Sequence, residues 1–390
     1  MFAVSNIITC LIAAGAFALG MASYVTAGLI PLIEQDFAVT TALAAQLVTA
    51  FTLAYAIGSP IMVALLPTHR QRAGLLAMLA LFVVSNALSA MAPNMITLMV
   101  LRAVAGLSAG TYLALGIAAA SRLALDHQRG RTIAIIMGGM ASGTVLGVPA
   151  GLWLANQLGW QAALWLISLI GAVALLGLMR WLPALSPVAQ SSIKQKLGIL
   201  KDGHVVRLLS ISLLAAVASL GLYTFMAPLI RAYTAQSVMP FLWVWGVGGV
   251  LGSFLVGSLA DRFTNMQITT GIMALLGLSL IALPLALSLN SWLGLLPVVI
   301  WGAVGWALQV PQNSALMTTR ESNGDGHLAV ALNESALYLG SALGAGTGGV
   351  WLSLGWPVWG LAVGAGVLGL FGLGVCSFGV SRKSALPTRA

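Results

Sequence analysis

The chain has 390 residues, of which 59% are hydrophobic and only 6% charged, with a mean hydropathy of +1.01. A soluble domain carries roughly 25% charged residues, so a water-soluble globular protein is excluded. At about 20 apolar residues per bilayer crossing there is room for roughly 12 spans and no sizeable domain outside the membrane.

In chain order, apolar runs predict helices over 5–30, 41–66, 73–92, 95–121, 132–155 and 162–182. After a polar stretch, six more follow over 207–230, 240–260, 266–289, 292–317, 328–354 and 357–380. The expected organisation is a six-helix bundle over 1–182, a cytoplasmic linker over 183–206, a second six-helix bundle over 207–380 and a tail over 381–390. The first run has no basic leader and exceeds the length of a signal-peptide core, so it is expected to be a span. Cys10 and Cys376 lie in apolar runs at opposite ends and read as small buried hydrophobes, with neither a disulfide nor a thiolate metal site expected.

The net charge of +9 would suit a nucleic-acid partner, so the placement of the charges decides. Fifteen of the 17 basic residues fall on one side if the even-numbered connections and both termini face the cytoplasm. They run from Arg70 and Arg72 through Arg122, Arg129, Arg131, Arg180 and the linker to Arg262, Arg320 and Arg389. Such a bias is the positive-inside signal of a membrane protein. No nucleic-acid partner is expected.

The two halves also resemble each other. The stretch from Gly58 to Arg70 (GSPIMVALLPTHR) has a counterpart from Gly252 to Arg262 (GSFLVGSLADR), 194 positions later. Two bundles that rock about a central site are what alternating access requires.

Three motifs carry chemistry or mechanics. Gly257 to Arg262 (GSLADR) closes the eighth predicted span with the adjacent charges Asp261 and Arg262. The first-half copy has Pro67 in place of the acid and keeps the basic Arg70. In Arg102 to Gly110 (RAVAGLSAG), a guanidinium lies in the fourth span, where it faces protein or water, or snorkels to the interface. In Gly139 to Gly151 (GMASGTVLGVPAG), glycines at a spacing of four, including Gly143 and Gly147, make a flat packing face, and Pro149 permits a bend.

Together these motifs resemble the major facilitator superfamily, over nearly the whole chain. The stretches Gly28 to Phe37 (GLIPLIEQDF), Gly159-Trp160, Phe225 to Pro228 (FMAP) and Trp301-Gly302 are similar to its bacterial drug and sugar efflux branch, which includes arabinose and ribonucleoside exporters. The resemblance implies an all-α membrane fold with 12 spans in two pseudo-symmetric bundles around a central cavity. It also implies gating by Asp261, Arg262, Arg70, Gly143, Gly147 and Pro149. One departure is that many members of the branch carry an acid in the first span, where this chain reads Ala22-Ser23-Tyr24.

Among the acids, Glu34 and Asp36 are expected outside the first span, and Glu334 is the one carboxylate placed within a span. It reads either as a proton-coupling group, together with Arg102, or as a carboxylate that caps or pairs near the helix end. Tyr24, Tyr55, Tyr112, Tyr223, Gln309, Asn313, Asn333 and Tyr338 lie on spans that line the cavity in the superfamily. Each also fits an ordinary helix contact. Aromatic faces with hydroxyls and amides suit a neutral or amphipathic small molecule, and most tryptophans read as interface anchors.

The expected function is secondary efflux of sugar-like compounds or drugs, driven by proton antiport, by a monomer in a bacterial inner membrane. The alternative is an uncoupled facilitator of a neutral solute. An enzyme is not expected, because the four histidines lie in loops and no His-Glu-x-x-His or Ser/His/Asp pattern falls within the spans. No cofactor or metal is implied.

Overall fold

A bilayer offers no water to unpaired backbone groups, so a chain this apolar is left with helices or a closed barrel. In the structure, a computed structural model, the described residues are 2–66, 70–125, 128–185, 198–260, 262–320 and 326–377, and they form helices and no strand. The first half holds α1 (Phe2–Phe37), α2 (Thr41–Leu53), α3 (Ser59–Leu65), α4 (Gln71–Ser89), α5 (Met95–Leu123), α6 (Arg129–Ser142), α7 (Val148–Leu158) and α8 (Trp160–Trp181). The second holds α9 (Gly203–Thr224), α10 (Met226–Arg231), α11 (Met239–Ala260), α12 (Asn265–Leu289), α13 (Leu295–Ala307), α14 (Gln309–Arg320), α15 (Gly326–Ser353) and α16 (Val358–Ser377).

Four of these spans are interrupted, and a proline explains each interruption. Proline has no N–H to donate, and its ring clashes with the carbonyl four residues back. The π-helical turns Ala54–Gly58 and Gly143–Gly147 immediately precede Ser59-Pro60 and Val148-Pro149. Helix α9 stops at Thr224, four residues before Pro228, and α13 stops at Ala307, four before Pro311. Pro31 and Pro284 sit inside α1 and α12 without a break. Side chains set other ends: Asn94 accepts from the Thr97 N–H, and Thr264 and Gln267 form a reciprocal capping box.

Among the described residues, eleven helices are long and apolar enough to cross a membrane. The remaining expected span, α15, is long enough at 28 residues, but Asn333, Glu334, Ser335, Ser341 and its glycines dilute its apolar content. At the other end of the chain, α1 runs on to Phe37, so Glu34 and Asp36 are helical. The apolar stretch Asn6–Phe37 has 32 residues, or about 48 Å at 1.5 Å per residue, so it outruns a hydrocarbon core of about 30 Å. Cys376 is buried as expected, whereas Cys10 is exposed, on an outward face of α1.

The chain divides into two compact units, Met1–Gln195 and Lys196–Ala390. Glycines set the close contacts inside each. In the first, a Cβ on Gly143 would lie 2.0 Å from the Phe17 carbonyl oxygen, and one on Gly139 2.4 Å from that of Ala13, so α6 rides directly on α1. In the second, a Cβ on Gly344 would lie 2.5 Å from the Val217 oxygen, so α15 rides on α9. The α2–α5 contact turns on Gly106 against the Phe51 oxygen, and the α11–α13 contact on Gly302 against the Trp245 oxygen, each at 2.0 Å. Phe51 and Trp245 are 194 positions apart, so the sequence repeat is also a repeat of packing.

Candidate functional site

In the first unit the most polar interior point is Arg102. Helix α5 carries it seven residues in from Met95, and its side chain is 1% exposed. Its Nη2 donates to Asn86 Oδ1 of α4, and the guanidinium lies over the Phe51 ring of α2, 5.6 Å from the centroid. The Nε and Nη1 donors find no hydrogen-bond partner among the described residues. Asn86 is itself fixed, its Nδ2 donating to the Phe82 oxygen at 2.7 Å. Of the two placements open to this arginine, the guanidinium takes the protein interior.

Other polar groups of this unit are tied to backbone. The Tyr112 hydroxyl donates to the Ile12 oxygen at 3.2 Å, joining α5 to α1, and Tyr112 is buried. On α1, Ala22 and Ser23 are buried, Ser23 Oγ donating to the Leu19 oxygen at 2.9 Å, and Tyr24 is half-buried. Tyr55 is buried in the π-helical turn between α2 and α3. On the other π-helical turn, a Cβ on Gly147 would lie 3.1 Å from Met21 Cβ and Phe17 Cε1. Gly143 and Gly147 therefore belong to the α1 contact, and Pro149 is buried just after them.

The second unit has an aromatic interior. Tyr223 and Trp245 lie 4.5 Å apart between ring centroids, Trp245 meets Trp301 at 6.3 Å and Trp306 at 5.9 Å, and Trp301 Nε1 donates to Ser219 Oγ at 2.8 Å. Trp245 and Trp301 are buried mid-helix and are not interface anchors. A buried tryptophan and one at the membrane surface look alike in a uniformly apolar span, and only the neighbouring Gly302 hinted at a close contact. Asn333 Nδ2 donates to Asn313 Oδ1 at 2.8 Å, joining α15 to α14. Gln309 and Glu334 are half-buried, and Tyr338, one turn on from Glu334, is buried.

The expected gating charges are less assembled. Asp261 lies outside the described residues. Arg262 and Arg70 are exposed. An ion pair joins Arg320 Nη1, at the end of α14, to Asp202 Oδ2, the N-cap of α9, at 3.2 Å. The His204 backbone N–H, with help from Arg320, holds the Asp202 carboxyl below the usual carboxylate range. In the first unit Arg122 Nη1 donates to the neutral Gln71 Oε1, and Arg72 donates to the Leu182 and Met179 oxygens at 2.7 and 2.9 Å, capping α8. At the opposite helix ends, Asp36 accepts from Trp160 Nε1 at 2.7 Å and Gln161 Nε2 at 3.2 Å, clamping α1 to α8. Among the described residues no cluster of His, Cys, Asp and Glu could hold a metal ion.

Comparison with known proteins places this architecture. Residues 12–324 match the family model of the Major Facilitator Superfamily. The chain is 31% identical over 348 residues to the inner membrane transport protein YdhP of Escherichia coli (strain K12), covering 88% of each chain. It is 29% identical over 351 residues to the chloramphenicol resistance protein of Streptomyces lividans, covering 86% of each. The fold is also that of a bacterial homologue of the human lysosomal transporter Spinster, with a TM-score of 0.76, 16% identity and 99% of each chain covered.

Proposed function

Because the chain belongs to the Major Facilitator Superfamily, a family of transporters and not of enzymes, we propose that it exports neutral or amphipathic small molecules across a bacterial inner membrane. In this reading it works as a monomer, by alternating access, with protons exchanged for a drug or sugar-like compound. The observation that carries the substrate class is the interior of the second unit, where Tyr223, Trp245, Trp301 and Trp306 meet without a charge among them. Aromatic faces of this kind bind apolar bodies, and their hydroxyl and indole groups accept or donate to a polar edge.

Tyr24, Tyr55, Tyr223, Gln309, Asn313 and Tyr338 are assigned to substrate contact. The wholly buried Tyr112 and Asn333, bonded within their units, hold that lining in place. Export, as opposed to uptake, is supported by the glycine face Gly139 to Gly151 seated on α1 and by the resistance protein among the relatives. Glu334 carries the proton, since a half-buried carboxylate in a span can change protonation as its exposure changes. Arg102 supplies a fixed positive charge in the other unit. The gate bends at the π-helical turns before Pro60 and Pro149, and Asp261, Arg262 and Arg70 take part at the loops.

The test is a panel of sugars and amphipathic drugs in everted vesicles, with the pH gradient as readout. Accumulation that dissipates the gradient supports proton antiport. The second reading, an uncoupled facilitator, is favoured by the absence of a carboxylate at Ala22-Ser23-Tyr24. It requires transport to survive collapse of the gradient.

A further inference from the structure

Three helices of the second unit bury polar side chains whose hydrogen-bonding groups the transport reading does not account for. Ser212 of α9, Gln312 of α14 and Asn333 of α15 are 1%, 0% and 0% exposed. Among the described residues, Ser212 Oγ, both amide atoms of Gln312 and Asn333 Oδ1 find no hydrogen-bond partner. Native interiors leave few such atoms unpaired.

Helix register brings the three residues within about one turn of one another. Leu208 and Leu209 of α9, Leu316 of α14 and Ala329 of α15 belong to one buried apolar cluster. Ser212 is four residues after Leu208, Gln312 four before Leu316, and Asn333 four after Ala329. A step of four returns to the same helix face, about 6 Å along the axis. Helices α9 and α15 run parallel, because Gly340 meets Leu213 and Ala216, Gly344 meets Val217 and Gly221, and Gly348 meets Phe225. Helix α14 runs antiparallel to α15, since Asn313 bonds to Asn333 while Leu316 shares the apolar cluster with Ala329. All three steps therefore lead the same way along the bundle. Gln312 and Asn333 stand nearly level, Ser212 lies about one turn further along α9, and together they make a polar zone beside the apolar cluster.

The chemistry of the zone selects its ligand. It offers acceptor oxygens on Gln312 and Asn333, a hydroxyl that accepts or donates, and an amide NH2 that only donates. A cation would suit the oxygens, but it would face the Gln312 NH2 and find no charge on these three side chains to balance it. Water donates two hydrogen bonds and accepts two, and it needs two to four polar partners to be held in an interior. We propose that this zone is an occluded water-binding site, in which water bridges Ser212, Gln312 and Asn333. The Gln312 N–H donates to the oxygen of Leu308, the break in the tenth span, at 3.3 Å. The bridge thus anchors α14 to α9 and α15 immediately after that break. It stands independently of the substrate or the coupling ion.

The test is a high-resolution density map of the full-length protein, joined to melting of variants. Density within about 2.7–3.2 Å of at least two of the named atoms is expected. Gln312→Met, of similar volume, should lower Tm by about 2–4 °C, because it strips the water of two partners, and Ser212→Ala should lower it less. An empty zone overturns the proposal, and Gln312→Met would then remove two unpaired atoms and raise Tm. A sodium- or potassium-dependent rise in Tm that Gln312→Met abolishes overturns it in favour of a cation site. The wild-type density and Ser212→Ala decide the matter even if Gln312→Met does not fold.

Discussion

Arg102 keeps a full positive charge in the interior of the first unit with one neutral oxygen, that of Asn86, and the face of Phe51. A desolvated cation–π contact is worth about 2 kcal/mol, while taking the charge out of water costs several kcal/mol. Stability therefore does not account for this residue. Replacing a buried ion pair by apolar groups of similar volume is often neutral or stabilising, and Arg102, held by a neutral oxygen and a ring, has no ionic attraction to lose, so Arg102→Met is expected to hold or raise Tm. Under the transport reading it should also cut transport by about tenfold or more, a loss of about 1.4 kcal/mol or more in barrier terms. Wild-type transport by Arg102→Met at equal expression would remove the guanidinium from the mechanism. For Glu334, the Gln variant keeps shape and hydrogen bonding but cannot titrate, so accumulation under a pH gradient should vanish while downhill exchange persists. A Glu334→Gln protein that still concentrates substrate would show that the proton travels elsewhere. Both residues were legible in the sequence because an ionisable group in an apolar run is conspicuous. Their surroundings were not. Asn86 and Phe51 reach Arg102 from other helices, 16 and 51 positions away, and nothing in their local spacing marks that meeting.

At the scale of the helix, proline and glycine act in pairs, one opening the backbone and the other letting a neighbour approach. Pro149 follows the π-helical turn Gly143–Gly147, and the same turn presses Gly143 to the Phe17 oxygen. The glycine spacing and Pro149 were visible in the sequence, and so was a bend. The widened turn was not, because it depends on how the carbonyls behind the proline are accommodated. Gly143→Leu should cost about 1–3 kcal/mol or more, as overpacking does, since backbone oxygen cannot move aside as a side chain could. Pro149→Ala restores an N–H and is expected to straighten the span, raising Tm while slowing transport. If melting and transport are unchanged in both, the turn has no part in gating. The join between α14 and α9 makes a pH prediction. The His204 N–H and Arg320 hold the Asp202 carboxyl below its usual range. The folded state therefore binds this proton less readily than the unfolded chain, and the contact stabilises above the ordinary carboxylate range, about pH 4. That contribution is lost as the pH falls through the lowered value. Wild-type Tm should drop more steeply on acidification below about pH 4 than that of Asp202→Asn, and parallel curves would exclude the contribution.

For the whole molecule the number of crossings fixes the side on which the chain ends. The duplication calls for six spans per unit, yet eleven helices among the described residues are apolar enough by composition alone. The one in question is α15, whose polar and small residues lower its apolar content. Those residues are the ones its neighbours use. Gly340, Gly344 and Gly348 lie against α9 over more than two turns, and Asn333 bonds to α14. A helix packed in parallel with a span over that length crosses with it, its polar groups turned to protein and not to lipid. Twelve crossings put Arg382, Lys383 and Arg389 on the same side as Arg70, Arg131 and Arg320, which the positive-inside bias demands of 15 of the 17 basic residues. Eleven would put the tail on the opposite side, against that bias. A reporter active only in the cytoplasm should therefore be active when fused after Arg131, Lys196 or Arg389, and silent after Asn94 or Gln236. The fusion after Arg389 is the decisive one, because it alone reads whether α15 crosses. If it is silent while those after Arg131 and Lys196 are active, the second unit has five crossings and the duplication does not extend to topology.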